Sequence, residues 1–180
     1  MNTELNAVSQ EELAYQIGNT IVHPVHGIGV ITGVDEVKQA GQSRLCYVIA
    51  IHDRVTLWVP VDGAAQSGLR TLASATGFRA VSTILSSAAQ PLDEQARERQ
   101  IEINERFKEG TLEAICSIIR DLTVRSLSKK LNEHDAKMLK RARRLLLDEW
   151  VMVMDMVEKE AQTQLSALLH ESATLSGQGA

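Results

Sequence analysis

His23 and His26 stand three residues apart, with Cys46 and His52 further along, and these are residue types that ligate zinc. A zinc centre takes four ligands, commonly from two close pairs, and no second close pair accompanies this one. The spacing therefore predicts a strand end and a turn for these histidines, with no metal and no other cofactor. Gly27-Ile28-Gly29 lacks the third glycine and the following helix that cradle a dinucleotide, so its glycines serve the backbone. No phosphate-binding glycine loop, Gly-x-Ser-x-Gly turn or catalytic Cys/His signature occurs. The sequence thus predicts a protein that is not an enzyme and takes no small-molecule substrate. Cys46 and Cys116 lie far apart in different kinds of segment, and they read as reduced thiols of a cytoplasmic protein.

Binding chemistry is the remaining possibility, and charge locates part of it. The net charge of −4 conceals a strong division along the chain. Residues 1–75 carry −3, residues 76–147 carry +4 and residues 148–180 carry −5. Between Arg120 and Arg144, nine basic residues face only Asp121, Glu133 and Asp135. Lys137, Lys140, Arg141 and Arg144 recur at i, i+3, i+4 and i+7, one stripe of a helix suited to a run of phosphates. Arg125, Lys129 and Lys130 form a second basic group, and Arg97 and Arg99 a third. A solvated helix face is the plainer reading of any such run. Trp58 offers a different chemistry. In a chain with 3% aromatic residues it sits beside Pro60, which lacks an amide donor and suits a sheet edge. Alternation puts Leu57 and Val59 on one face and Trp58 on the other, so Trp58 either anchors an interface or fills the core. Arg44 and Arg54 flank the same hairpin.

These residues need two kinds of scaffold. Before residue 75, β-branched residues and Gly/Pro punctuation predict strands over 20–23, 27–34, 44–51 and 54–59, with turns at 39–42 and 52–53. Beyond it the period becomes helical. Thr76 is expected to cap a helix that runs to about Ala88. Asp93 is expected to open one stopped by Gly110, and Thr111 to cap 112–127. Asn132 caps a long helix from Glu133 towards Glu158, and Ala161–His170 forms the last. The division is thus an N-terminal β module over 1–75, a compact all-helical domain over 76–172 and a disordered tail over 173–180, an α+β arrangement. Trp150, on the long helix, reads as core. No apolar run approaches the roughly 20 residues of a membrane span, and Met1 to Tyr15 lacks the basic and apolar regions of a secretory signal.

Gly18-Asn19-Thr20-Ile21-Val22-His23-Pro24-Val25-His26-Gly27-Ile28-Gly29-Val30-Ile31 resembles the opening motif of the CarD/CdnL family of bacterial RNA polymerase-binding regulators, whose β module is shared with the transcription-repair coupling factor. Asn19 replaces an acid and Ile21 a valine. Tyr47-Val48-Ile49 and Leu57-Trp58-Val59-Pro60-Val61 resemble the family's later hairpin. Leu131-Asn132, Asp135, Met138-Leu139, Ala142-Arg143, Leu145-Leu146 and Glu149 follow the spacing of its long helix. The resemblance implies a small curved, Tudor-like barrel sheet. It implies binding of the polymerase β subunit through Arg44, Arg54, Leu57, Trp58, Val59 and Pro60. It implies weak, largely non-specific phosphate contacts with promoter DNA through Arg97, Arg99, Arg125, Lys129, Lys130, Lys137, Lys140, Arg141 and Arg144. The expected outcome is a stabilised open complex. Many relatives carry a wedge tryptophan soon after the proline that opens the second helix, and here Ala96 falls near that place. A polymerase-tethered adaptor with little DNA binding is therefore the alternative.

Overall fold

Between residues 20 and 60, β-branched side chains alternate with small and polar ones, and this half of the chain is a sheet. The computed structural model describes residues 13–39, 41–51 and 55–177. Its strands are β1 (Thr20–His23), β2 (Gly27–Gln39), β3 (Gln42–Ile51), β4 (Val55–Pro60) and β5 (Arg70–Thr71), in the order β4-β3-β2-β1-β5 with every pairing antiparallel. A short 3-10 turn, Val61–Gly63, follows β4. Ile21, Ile31, Tyr47, Ile49 and Val59 point to one side and are closed over by Ala64 and Leu69. The Tyr15 hydroxyl donates to the Leu69 carbonyl at 2.7 Å, and the Tyr47 hydroxyl accepts the Tyr15 amide at 3.2 Å.

Two local features shape the sheet around this core. The register slips between Ile31 and Gly33, which leaves Thr32 as an extra residue whose hydroxyl donates to the Val48 carbonyl at 3.2 Å. Gly29 lies where a side chain has no room. A Cβ there would fall 2.5 Å from Ile51 Cδ1 and 2.9 Å from the Ala50 carbonyl oxygen. The glycine is thus a packing requirement of the β2–β3 contact.

The second half folds as α1 (Ala75–Ser86), α2 (Ala96–Glu109), α3 (Leu112–Ser128), α4 (Glu133–Met154) and α5 (Glu158–Gly177). Contacts divide the chain into one unit over Met1–Thr71 and another over Leu72–Ala180. Thr111 and Asn132 cap their helices as expected, accepting the amides of Ala114 at 3.1 Å and Asp135 at 2.8 Å. Gly110 closes α2 in the left-handed region, with φ 66°. Other boundaries differ from expectation. Ser74, not Thr76, caps α1, because its extended backbone lets the hydroxyl accept the Gly77 amide at 3.0 Å. Asp93 accepts the Gln95 amide at 2.7 Å in a turn that precedes α2. The long helix stops at Met154, where Asp155 turns left-handed. The last helix runs well past His170. Residues 173–177, expected in a tail, are helical, and Ser176 is held by accepting the Ala89 amide at 2.9 Å. Residues 178–180 lie outside the described residues.

Aliphatic faces of all five helices share one core, in which Trp150 is 3% exposed and stacks on Phe78 with centroids 5.8 Å apart. Buried carboxylates tie elements of this unit together. Asp121 Oδ1 accepts from Arg120 Nε at 2.8 Å and from the Gln90 amide at 2.9 Å, while Oδ2 accepts from Arg106 at 2.7 Å. Arg120 reaches on to Ser87 at 2.8 Å. Glu149, on α4, accepts the Ala73 amide at 2.8 Å. Cys46 and Cys116 are buried and form no disulfide. No helix among the described residues is long and apolar enough to cross a membrane.

Two substitutions probe these constraints. Asp121→Ala leaves the buried Arg120 guanidinium without its anion, while Arg106 keeps Glu102, and is expected to cost about 3–5 kcal/mol in urea unfolding. Gly29→Ala overpacks the sheet and is expected to cost about 1–3 kcal/mol in the same measurement.

Candidate functional site

Among the described residues strand β4 pairs with β3 alone, so its other edge presents backbone groups outside the sheet. Alternation decides what its side chains do. Leu57 is half-buried and Val59 is 5% exposed, both turned to the core, whereas Trp58 is 54% exposed opposite Val48. Both readings of Trp58 were open from sequence, and the register selects the outward one. Val59 is correspondingly corrected: its side chain is core, and only its backbone lies at the edge. Pro60 is half-buried at the end of the strand. Arg44 is exposed on β3, and even-numbered register places it on the same face as Val48 and Trp58. Arg54 and His52 lie outside the described residues. His23 ends its strand as a turn-former, its Nδ1 accepting the amides of Val25 at 3.0 Å and His26 at 3.3 Å.

In the helical unit the predicted basic residues separate into three kinds. Arg99 is 4% exposed, and it holds Asp135 at 2.8 Å and the Asp93 carbonyl at 2.6 Å. It joins α2 to the first turn of α4 and cannot contact DNA from there. The sequence did carry the signal. Arg99 lies four residues before Ile103 and eight before Phe107, on the stripe that α2 buries.

Arg125 and Lys129 are reachable, but both are already engaged. Glu94 meets Arg125 at 3.2 and 3.3 Å and Lys129 at 2.5 Å. The Arg125 hydrogen bonds, then that of Lys129, pull the Glu94 carboxyl down to about 2. This clamp was not visible in the sequence, where its members stand 31 and 35 residues apart. Arg141 is half-buried with its guanidinium 4.8 Å from the Phe107 ring centroid, and Arg144 lies 3.6 Å from Asp148.

Arg97, Lys130, Lys137 and Lys140 are exposed and meet no carboxylate among the described residues. Lys137, Lys140 and Arg144 keep the outward stripe of α4 that the spacing predicted. Ala96 is the exposed first residue of α2, and no aromatic side chain stands near it between residues 91 and 99. The surface that can face an anion is therefore mainly α4, with Lys130 before it and Arg97 on α2.

Known proteins resemble both halves. Residues 15–73 match the family described as CarD-like/TRCF RID domain, and residues 80–166 match the family described as CarD, C-terminal domain. The chain is also 24% identical over 150 residues to the Bacillus subtilis (strain 168) protein described as "Putative transcription factor YdeB", a span covering 83% of this chain and 98% of that protein.

The Glu94 clamp gives a test of the basic surface. Glu94→Gln is expected to release Arg125 and Lys129 and to tighten binding to duplex DNA at low salt. The slope of log affinity against log salt should steepen by up to about 1.8 in fluorescence anisotropy, for two further phosphates neutralised. The clamp's pH dependence has a fixed sign. A carboxyl depressed to about 2 stabilises the fold above its unfolded value of about 4.3, and that contribution disappears as pH falls from there through about 2. An acid titration of Glu94→Gln should lack this component, which in wild type should shrink with salt because the clamp is solvent-exposed.

Proposed function

The chain belongs to the CarD family of transcription regulators, and on that premise we propose that it grips the β subunit of RNA polymerase through its β unit while its helices lie against promoter DNA. The observation that carries this reading is Trp58. A tryptophan 54% exposed on an open edge strand, in a chain so poor in aromatics, has no role in its own core. The backbone of β4 supplies amide and carbonyl groups to a partner strand, Trp58 fills a pocket beside it, and Arg44 on the same face meets acidic groups. Residues 1–75 thereby form the polymerase module and residues 76–172 the helical module at DNA.

The helical unit holds phosphates with Lys137, Lys140 and Arg144, supported by Lys130 and Arg97. Such contacts add affinity and position without reading bases. Stabilising an open complex then requires no chemistry. A bound protein favours the open state by the ratio of its affinities for open and closed promoter, and tethering to the polymerase raises the local concentration of the basic stripe. The protein acts by binding alone.

A second reading is favoured by the engaged state of Arg99, Arg125 and Lys129 and by the absence of a wedge at Ala96. In it the chain is a polymerase-tethered adaptor that scarcely touches DNA. The two readings diverge in one pair of measurements. Trp58→Ala is expected to weaken binding to a purified β-subunit fragment by about tenfold or more, and Arg44→Glu to weaken it less. Lys137→Glu with Lys140→Glu is expected to abolish the low-salt mobility shift of promoter DNA while leaving the β-subunit affinity unchanged. If wild type gives no shift at any low salt, the adaptor reading replaces the first.

A further inference from the structure

Arginines enclosed by the helical unit are matched with acids almost throughout. Arg99 meets Asp135, Arg106 and Arg120 share Asp121, and Arg125 takes Glu94. Arg143 breaks the pattern. It is half-buried on α4, its Nη2 donates to Thr123 Oγ1 at 3.0 Å, and no carboxylate among the described residues pairs with it. Its Nε has no hydrogen-bond partner, and burial pushes the guanidinium below its ordinary value. A partly desolvated cation without an anion is costly, which is why buried charges are normally paired.

Arg143 lines a groove of about 500 Å³ between α3, α4 and α5. Leu147, Leu165, Leu169 and Ala173 supply apolar wall, and Leu127, 70% exposed, stands at the rim. Gln162, Ser166 and His170 are the polar groups along α5. This is the composition of a small-molecule site: mostly apolar surface, a few polar groups, and one charge to orient the ligand.

We propose that this groove binds a small amphiphilic carboxylate, an acid with an apolar chain of medium length. Nε is enclosed, so the carboxylate takes Arg143 at its Nη end. There Nη1 is bonded to none of the described residues and Nη2 keeps a second N–H beyond the one given to Thr123, so the guanidinium offers two parallel N–H groups. The chain lies along Leu147, Leu165 and Leu169, and Leu127 covers its outer end. The unpaired cation sets the head group and the leucine wall sets the tail, so neither acetate nor a neutral chain satisfies the site alone. The groove lies apart from the outward stripe of Lys137 and Lys140, and the proposal does not depend on the DNA or polymerase reading.

The test uses decanoate as probe, with decanol and acetate beside it, on the full chain. Calorimetry and methyl shifts at Leu165 and Leu169 report binding. Saturable decanoate binding, with decanol and acetate each weaker by about tenfold or more, is the expected result. Arg143→Gln should lose that preference for the charged head. Leu127→Glu, at an exposed rim position that leaves the core intact, should weaken decanoate by placing a like charge at the mouth. Circular dichroism shows whether each variant keeps its helices. Equal affinity for decanol and decanoate would overturn the proposal, because Arg143 would then have no part. So would the absence of saturable decanoate binding up to millimolar concentration, including the case in which an acidic, leucine-rich helical peptide binds the groove instead.

Discussion

Much in the helical unit converges on one buried carboxylate. Asp121 is 2% exposed, yet it receives Arg106 from α2, Arg120 from its own helix and the Gln90 amide from the segment between α1 and α2. Arg120 extends the network to Ser87 at the end of α1. Three elements therefore converge on one side chain, at the cost of removing several charges from water. Such a network rewards completeness. With all partners present the desolvation is offset, and with one missing the remaining ions are stranded. The interhelical geometry that sets out the basic stripe on α4 and the groove beneath α5 is fixed partly by these directional contacts and partly by the shared aliphatic core.

The same accounting separates arginines that hold the protein together from those it can offer outward. Arg99, Arg106 and Arg120 are structural, their charges spent on Asp135 and Asp121. Glu94 places Arg125 and Lys129 in an exposed and salt-sensitive middle category. What remains is mainly a narrow band on α4, with Lys130 and Arg97 beside it. The nine basic residues against three acids over 120–144 thus overstate the charge available to a partner.

Local rules carried far in the sequence. Thr111 and Asn132 were readable as caps because the bond each makes is three residues long, and Gly110 because a left-handed residue closes a helix wherever it sits. The alternation in β4 narrowed Trp58 to two options, and the position of the core chose between them. The misread boundaries have tertiary causes. Ser74 and Thr76 are equally able to cap a helix, but Glu149 holds the Ala73 amide from 76 residues away and fixes the chain just before Ser74. Ser176 ties down a helical end that looked too polar to order itself. Glu94 reads as an ordinary surface glutamate until α3 packs beside it. The pairings of Arg99 and the isolation of Arg143 arise in the same way, from which helix faces meet.

The two thiols have a consequence of their own. Cys46 lies in β3 and Cys116 in α3, so each unit encloses a single buried cysteine. Alkylation needs both access and a thiolate, and burial also pushes the Cys46 thiol up. Neither sulfur is expected to react at an appreciable rate until its own surroundings open. One chain thereby carries one such clock in each unit, and the order in which a reagent marks them is expected to report which unit opens first, without a label or a substitution being introduced.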